Sequence, residues 1–159
     1  MSETGVIDLN GKSILIIEDD PLLHSLLADK MKQLRDKGVK VFPTMSAEEG
    51  LKQAQESKPD LIMLDLVLPT MDGFEFLRQL RAIPGHEKTP VVVLSNLSAD
   101  TDKERARSLG VIAYMVKADF SLSEISAAVE QILQGKQMSP PKPVDGTLTK
   151  TPLGYMTYL

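Results

Sequence analysis

Five short apolar runs, each followed by a more polar stretch, constrain the fold of this chain more than any other feature. The first run covers residues 13–17 and is unbroken and rich in isoleucine, which is typical of a strand covered on both faces. Four further runs follow, at 39–42, 60–64, 90–94 and 111–116. Short buried strands that alternate with helices predict a parallel sheet with helices on both of its faces.

The stretches between these runs carry the boundary signals of helices. The first is predicted to extend from Pro21 to about Lys37, with Asp20 as a candidate N-cap. Ser46 and Glu49 have the spacing of a capping box before the second helix. Three more helices are predicted at 74–83, about 100–109 and about 122–133. The fold class is therefore α/β, flavodoxin-like and doubly wound, with five helices around a five-stranded parallel sheet of order 2-1-3-4-5.

The alternation stops after Gly135, and this predicts three segments. They are an N-terminal arm (1–11), a folded domain (12–135), and a proline-containing linker with an apolar C-terminal tail (136–159). The tail holds Tyr155 and Tyr158, two of the three tyrosines in the chain. Because disordered solubilising tails are poor in aromatic residues, we expect 153–159 to dock, either on its own domain or on a partner. A frayed terminus is the alternative.

Composition excludes several classes of function. The 159 residues include no cysteine, which excludes disulfides, thiolate metal sites and a cysteine nucleophile. The formal net charge is −4 and the basic residues are dispersed, which argues against direct binding of nucleic acid. The apolar runs are too short to span a bilayer and the N-terminus does not resemble a signal peptide. We therefore expect a cytoplasmic protein without membrane contact.

Polar side chains follow four of the five predicted strands. In strand order they are Glu18, Asp19 and Asp20, then Asp65, then Ser95, and finally Lys117. In an open parallel sheet, ligands bind at the carboxyl ends of the strands, so these side chains should converge. Carboxylates in one crevice repel each other unless a cation lies among them, and a set of oxygen ligands favours a hard ion such as Mg²⁺.

This group of residues suits phosphoryl chemistry. An aspartate beside Mg²⁺ can attack a phosphoryl group, whose oxygens then need a cation and hydrogen-bond donors. Lys117 offers the cation and Ser95 the hydroxyl. Taken singly, each residue is explained more simply as a helix cap, a turn residue or a surface lysine. A single functional site explains the polar residues at four strand ends better than four unrelated structural roles do.

Over residues 11–135 the chain resembles the receiver domain of two-component response regulators, of the chemotaxis type. The matching segments are 14–21, 60–73, 91–95 and 113–117. The resemblance implies that Asp65 is the phosphoacceptor and that Glu18 and Asp19 form the acidic pair, with Asp19 touching Mg²⁺ directly. It also implies the following roles: the backbone carbonyl of Val67 as a further metal ligand, Lys117 and Ser95 as phosphoryl partners, and Ser95 with Tyr114 as the switch pair.

Two positions depart from the family pattern. Ala118 follows Lys117, where the family usually has proline, so the usual cis peptide bond is not expected there. Asn96 follows Ser95, where a small residue is common.

The resemblance further implies a phosphorylation switch rather than an enzyme, since it would catalyse only its own phosphorylation and dephosphorylation. Only 24 residues follow Gly135, so we expect a stand-alone receiver. A histidine kinase or phosphotransfer protein would supply the phosphoryl group, and output would come from docking on an unknown protein target. The expected output face is the segment of about 99–133, which could also form a dimer contact, as could the C-terminal tail.

Two other functions remain as alternatives. A haloacid-dehalogenase-type phosphatase also uses a strand-end aspartate and Mg²⁺, but it requires a second aspartate where this chain has Val67. The other alternative is a receiver-like binding module that works without phosphorylation.

Overall fold

The computed structural model describes residues 9–135, 149–151 and 154–158 of the chain. At its centre lie five parallel strands in the order β2-β1-β3-β4-β5, which confirms the predicted fold. The strands are β1 (Ser13–Ile17), β2 (Lys40–Thr44), β3 (Leu61–Leu64), β4 (Val91–Ser95) and β5 (Ala113–Val116).

Successive residues of the central strands pack on opposite faces of the sheet. From β1, Ile14 and Ile16 enter one core cluster, whereas Leu15 and Ile17 enter the other. Every residue of β1, β3 and β4 is buried. The sheet is therefore covered on both sides, and this explains why its strands are almost wholly apolar in sequence.

Helices cover both faces of the sheet. They are α1 (Pro21–Lys30), α2 (Lys32–Asp36), α3 (Ala47–Ser57), α4 (Gly73–Ala82), α5 (Asp100–Ser108) and α6 (Leu122–Leu133). On one face, α1 and α6 contribute Leu27 and Val129 to the core. On the other face, α3, α4 and α5 contribute Ala54, Phe76 and Ala106. None of the helices in the described part of the chain is long and apolar enough to cross a membrane.

The first predicted helix, from Pro21 to about Lys37, is interrupted at Met31. This residue is the C-cap of α1 and the N-cap of α2, and its ψ of −3° departs from helical geometry. Its carbonyl accepts the N–H groups of both Leu34 and Arg35, at 2.9 and 3.1 Å. A local turn of the tighter 3₁₀ type therefore replaces one turn of α-helix, and the prediction of one continuous helix was wrong.

Two additional strands extend the sheet beyond β5. They are β6 (Thr149–Thr151) and β7 (Gly154–Tyr158), which pair with each other as an antiparallel hairpin. β7 also pairs antiparallel with β5, with Tyr114 opposite Thr157. The tail thus docks on its own domain, which was one of the two predicted outcomes. The predicted linker at 136–148 and most of the N-terminal arm lie outside the described residues, and the domain boundaries stay predictions.

Arg81, near the end of α4, ties together two turns at the amino ends of β4 and β5. Its guanidinium donates to the carbonyls of His86 and Thr89 before β4, at 3.1 and 2.7 Å. It also donates to the carbonyls of Leu109 and Gly110 before β5, at 2.9 and 3.3 Å. Four carbonyls that would otherwise need other donors are satisfied by one side chain.

Gly73, the first residue of α4, lies directly against the backbone that carries Asp65. Its N–H donates to the carbonyl of Leu66 at 2.9 Å. A Cβ atom at position 73 would lie 2.6 Å from Cα of Leu66 and 2.8 Å from the carbonyl oxygen of Asp65. Because backbone atoms cannot rotate away, α4 can approach this loop so closely only with glycine at this position.

We predict that Gly73→Ala lowers the free energy of unfolding by about 1–3 kcal/mol, since α4 must move away from the Asp65 loop. Gly50→Ala is the matched control. Its new Cβ would meet only side-chain atoms, those of Ile17 and Phe76, which can shift where backbone cannot, and alanine would gain roughly 1 kcal/mol of helix propensity within α3. Urea denaturation of both variants measures the difference. Equal losses would contradict the proposed role of the close approach at Gly73.

Candidate functional site

Three charged side chains from three different strands meet at the carboxyl edge of the sheet. Glu18 follows β1, Asp65 follows β3 and Lys117 follows β5. The backbone holds the two acids in place, because Glu18 N–H donates to the Thr44 carbonyl at 3.1 Å and Asp65 N–H to the Ile17 carbonyl at 3.0 Å. Only 2% of Glu18 and 4% of Asp65 is exposed to solvent. Burial of two carboxylates side by side requires a compensating charge.

Lys117 supplies that charge. Its Nζ atom lies 2.8 Å from Oδ2 of Asp65 and 2.8 Å from Oε1 of Glu18. The other oxygen of each carboxylate accepts a backbone N–H: Oδ1 of Asp65 from Val67, and Oε2 of Glu18 from Asp20, both at 3.0 Å. All four carboxylate oxygens therefore have a hydrogen-bond partner, and the orientation of both acids is fixed.

The pKa values follow from burial and from this contact. Burial raises the pKa of Glu18 above its usual range, against the lowering effect of its hydrogen bond to Lys117. Burial alone would lower the pKa of Lys117, but the hydrogen bonds and charges of Asp65 and Glu18 outweigh it and raise this pKa. Lys117 is therefore charged at neutral pH. One lysine faces two buried acids, so the site favours a further cation.

Asp19 completes a group of acids that can hold that cation. Glu18, Asp19 and Asp65 each offer one carboxylate oxygen, and these oxygens lie within 4.8 Å of one another. Oxygen donors without nitrogen or sulfur suit Mg²⁺, which fits the predicted metal. Asp20 is engaged elsewhere as the N-cap of α1, where its Oδ1 accepts the N–H groups of Leu22 and Leu23. The predicted carbonyl ligand at Val67 stays a prediction.

Ser95 and Tyr114 are joined through the backbone of Leu97. Ser95 is fully buried at the end of β4, and its Oγ accepts the N–H of Leu97 at 3.3 Å. The hydroxyl of Tyr114 donates to the carbonyl of the same residue at 2.7 Å. Burial raises the pKa of Tyr114, and Lys103 Nζ lies 6.0 Å from the centre of its ring. The two residues predicted as a switch pair are thus linked by two hydrogen bonds.

The side chain of Tyr114 lies inside the domain in this structure. The resemblance implies that phosphorylation opens space for this side chain to turn inward. In this structure only 1% of Tyr114 is exposed, and its ring already lies in the core cluster below α4 and α5. Any movement of this side chain on phosphorylation stays a prediction.

Lys117 lies at the end of β5, where the sequence predicted it, and a histidine close to Glu18 was not predicted. Lys117 begins a short 3₁₀ turn (Lys117–Asp119), and its peptide bond to Ala118 is trans, as expected. His24 on α1 was not predicted, although its Nδ1 lies 3.2 Å from the carbonyl oxygen of Glu18. Its position four residues after the N-cap Asp20 places it back over the strand end, which is a signal that the sequence contains.

The fold and this site define a class of protein: an α/β domain with a buried aspartate, an acidic group that can hold a metal ion, and a strand-end lysine. A family model described as the response regulator receiver domain matches residues 14–130. The chain belongs to this family. Receiver domains bind Mg²⁺ at an acidic pocket, and they are the phosphorylation-activated switches of two-component systems.

Similar proteins agree with this assignment. The chain is 35% identical over 132 residues to the alkaline phosphatase synthesis transcriptional regulatory protein PhoP of Bacillus subtilis, which covers 82% of this chain and 52% of the relative. It is 37% identical over 122 residues to the KDP operon transcriptional regulatory protein KdpE of Escherichia coli, covering 77% and 51%. The chain thus spans about half the length of these relatives.

A solved structure with a bound metal ion has a similar fold. It is the receiver domain of the sensor histidine kinase PA1611 from Pseudomonas aeruginosa, with a magnesium ion coordinated in the active site cleft. The TM-score is 0.67 at 25% identity, and the match covers 79% of this chain and 99% of that one.

We predict that Mg²⁺ affinity depends on Asp19 and not on Asp20. Asp19→Asn should weaken binding by at least about tenfold, because it removes one charged ligand from the acidic group. Asp20→Asn is the matched control, since asparagine caps a helix as well as aspartate does. Isothermal titration calorimetry with Mg²⁺ measures the affinities of both variants. Equal losses would show that the metal lies closer to Asp20 than the structure indicates.

Proposed function

We propose that this chain accepts a phosphoryl group on Asp65 from a histidine kinase or a phosphotransfer protein, with Mg²⁺, and signals by docking on a protein target. The observation that carries the proposal is the bridge from Lys117 to both Asp65 and Glu18, beside Asp19. A bridge of this kind offsets part of the negative charge of the site before transfer, and it holds the acceptor carboxylate in a single orientation.

The chain's own residues account for each part of the transfer. A carboxylate oxygen of Asp65 attacks the phosphorus of a phosphohistidine, the new O–P bond forms as the P–N bond breaks, and the imidazole leaves with its electron pair. Lys117 is close enough to pass from the carboxylate to an oxygen of the transferred group, and Ser95 has a hydroxyl proton to donate. Mg²⁺, when bound, supplies positive charge that offsets the negative charge gathered at the site.

Apolar side chains at the entrance support a protein as the phosphodonor. Leu22 is the second residue of α1, two positions after Asp20, and is 69% exposed. Val67 follows Asp65 by two residues and is 55% exposed. Leu26, one helical turn beyond Leu22, is also exposed. Exposed apolar residues grouped around a charged pocket are typical of protein docking surfaces.

The phosphatase alternative is poorly supported. At the position where such enzymes need an aspartate, Val67 has an apolar side chain, so it cannot act as a general acid or base. Its backbone N–H binds the Asp65 carboxylate instead.

We predict that acetyl phosphate or a phosphohistidine donor labels the protein only when Asp65 and Mg²⁺ are both present. Asp65→Asn should abolish labelling, because an amide is not a nucleophile of comparable strength. Asp72→Asn is the matched control, since Asp72 caps α4 close to Asp65 in sequence and an asparagine preserves the cap. Mass spectrometry of the intact protein measures the incorporation. Undiminished labelling of Asp65→Asn would refute the assignment and favour a binding module that works without phosphorylation.

We also predict that the phosphorylated protein decays slowly, with a half-life well beyond seconds. Hydrolysis needs a water in line with the Asp65–phosphoryl bond, and neither Val67 nor Leu97, whose backbones bind Asp65 and Ser95, can orient one. Val67→Asn should shorten the lifetime severalfold. Leu22→Asn is the control, because Leu22 is also an exposed apolar residue but lies on α1, and it should leave the lifetime unchanged. A rapid decay of the unsubstituted protein would count against this role.

A further inference from the structure

The C-terminal hairpin occupies an edge of the sheet that leads directly to the switch residues. β5 would be the last strand of the parallel sheet, with backbone N–H and C=O groups open to pairing. β7 pairs with it, with Tyr158 opposite Ala113 and Thr157 opposite Tyr114. The hairpin therefore contacts the backbone of Tyr114, whose side chain lies inside the domain.

From Tyr114 a short path leads to the phosphorylation site. Its hydroxyl binds the carbonyl of Leu97, and the N–H of Leu97 binds Oγ of Ser95. A hydroxyl that accepts one hydrogen bond still has its own proton to donate. While Tyr114 lies inward, Ser95 is thus held with a donor ready for a phosphoryl oxygen.

We propose that the hairpin of β6 and β7 is an internal ligand of the β5 edge, which holds Tyr114 inward and thereby primes the Asp65 site for the phosphoryl group. The inference rests on the proposed function, and it adds a regulatory role for the C-terminal segment. Without the hairpin, the β5 backbone loses its pairing partner and Tyr114 is free to leave the core.

The thermodynamic argument is one of linkage. A ligand that binds one of two conformations better shifts the population toward that conformation. Suppose that the hairpin favours the inward position of Tyr114 and that this position favours the phosphoryl group. Pairing of the hairpin then raises the affinity of the site for the phosphoryl group, and the phosphoryl group strengthens pairing of the hairpin by the same factor. The hairpin belongs to the same chain as its domain, so its pairing with β5 is an intramolecular event that does not depend on protein concentration.

The first experiment measures the affinity for beryllofluoride, a phosphoryl mimic, in the presence of Mg²⁺. Thr157→Pro removes a backbone N–H from β7 and should weaken binding by at least about fivefold, the lower range of typical couplings. Thr157→Val is the matched control, because it keeps a β-branched residue and the full backbone ladder, and it should bind like the unsubstituted chain. A chain that ends at Gly135 should behave like Thr157→Pro.

A second set of variants tests the route through Tyr114. Tyr114→Phe keeps the ring but removes the hydroxyl that binds Leu97. In this background, Thr157→Pro should change the beryllofluoride affinity by less than about twofold, because the coupling has already been broken. An unchanged effect of Thr157→Pro would instead indicate general destabilisation and would overturn the proposed route.

The position of Tyr114 can be measured directly. The chain has three tyrosines and no tryptophan, so Tyr155→Phe with Tyr158→Phe leaves Tyr114 as its one intrinsic fluorophore of this kind. Adding Thr157→Pro should increase quenching of its fluorescence by acrylamide, whereas adding Thr157→Val should not.

The outcomes separate the two proposals. Equal beryllofluoride affinities and equal quenching in the unsubstituted and Thr157→Pro backgrounds would overturn the inference about the hairpin and leave the proposed function intact. Failure of the unsubstituted chain to bind beryllofluoride would overturn the proposed function, and with it the priming role.

Discussion

The position of Lys117 between two buried carboxylates is the interaction on which the site depends. Glu18 and Asp65 come from neighbouring strands, and without a cation their burial side by side would be strongly unfavourable. The ammonium group comes from the end of β5 and reaches both, across β4 to Asp65 after β3 and further to Glu18 after β1. One side chain therefore connects three strands at the edge where the chemistry occurs, so the folding of the sheet also assembles the site.

Much of this arrangement is predictable from the sequence, because the physical signals are local. Unbroken apolar runs identify β1, β3 and β4, since strands buried on both faces tolerate few polar residues. The parallel topology then brings the residues after each strand to one edge, which predicts that Glu18, Asp65 and Lys117 meet. Asp20 was recognised as an N-cap for the same local reason.

Other features depend on contacts between distant segments, and local patterns do not specify them. The pairing of β7 with β5 joins residues more than forty positions apart, and the sequence predicted only that the tail would dock. The inward position of Tyr114 depends on a carbonyl in the loop after β4. The break at Met31 was missed because Leu27 and Leu34 keep an apolar helical periodicity on both sides of it.

Arg81 anchors β4 and β5 at one end of the sheet, opposite the end that carries the acidic site. Through four carbonyls it fastens the starts of β4 and β5, far from the acidic pocket. A strand that is anchored at one end responds to a force at the other end by pivoting, not by sliding. Ser95, at the far end of β4, is the position at which such a pivot would produce the largest movement.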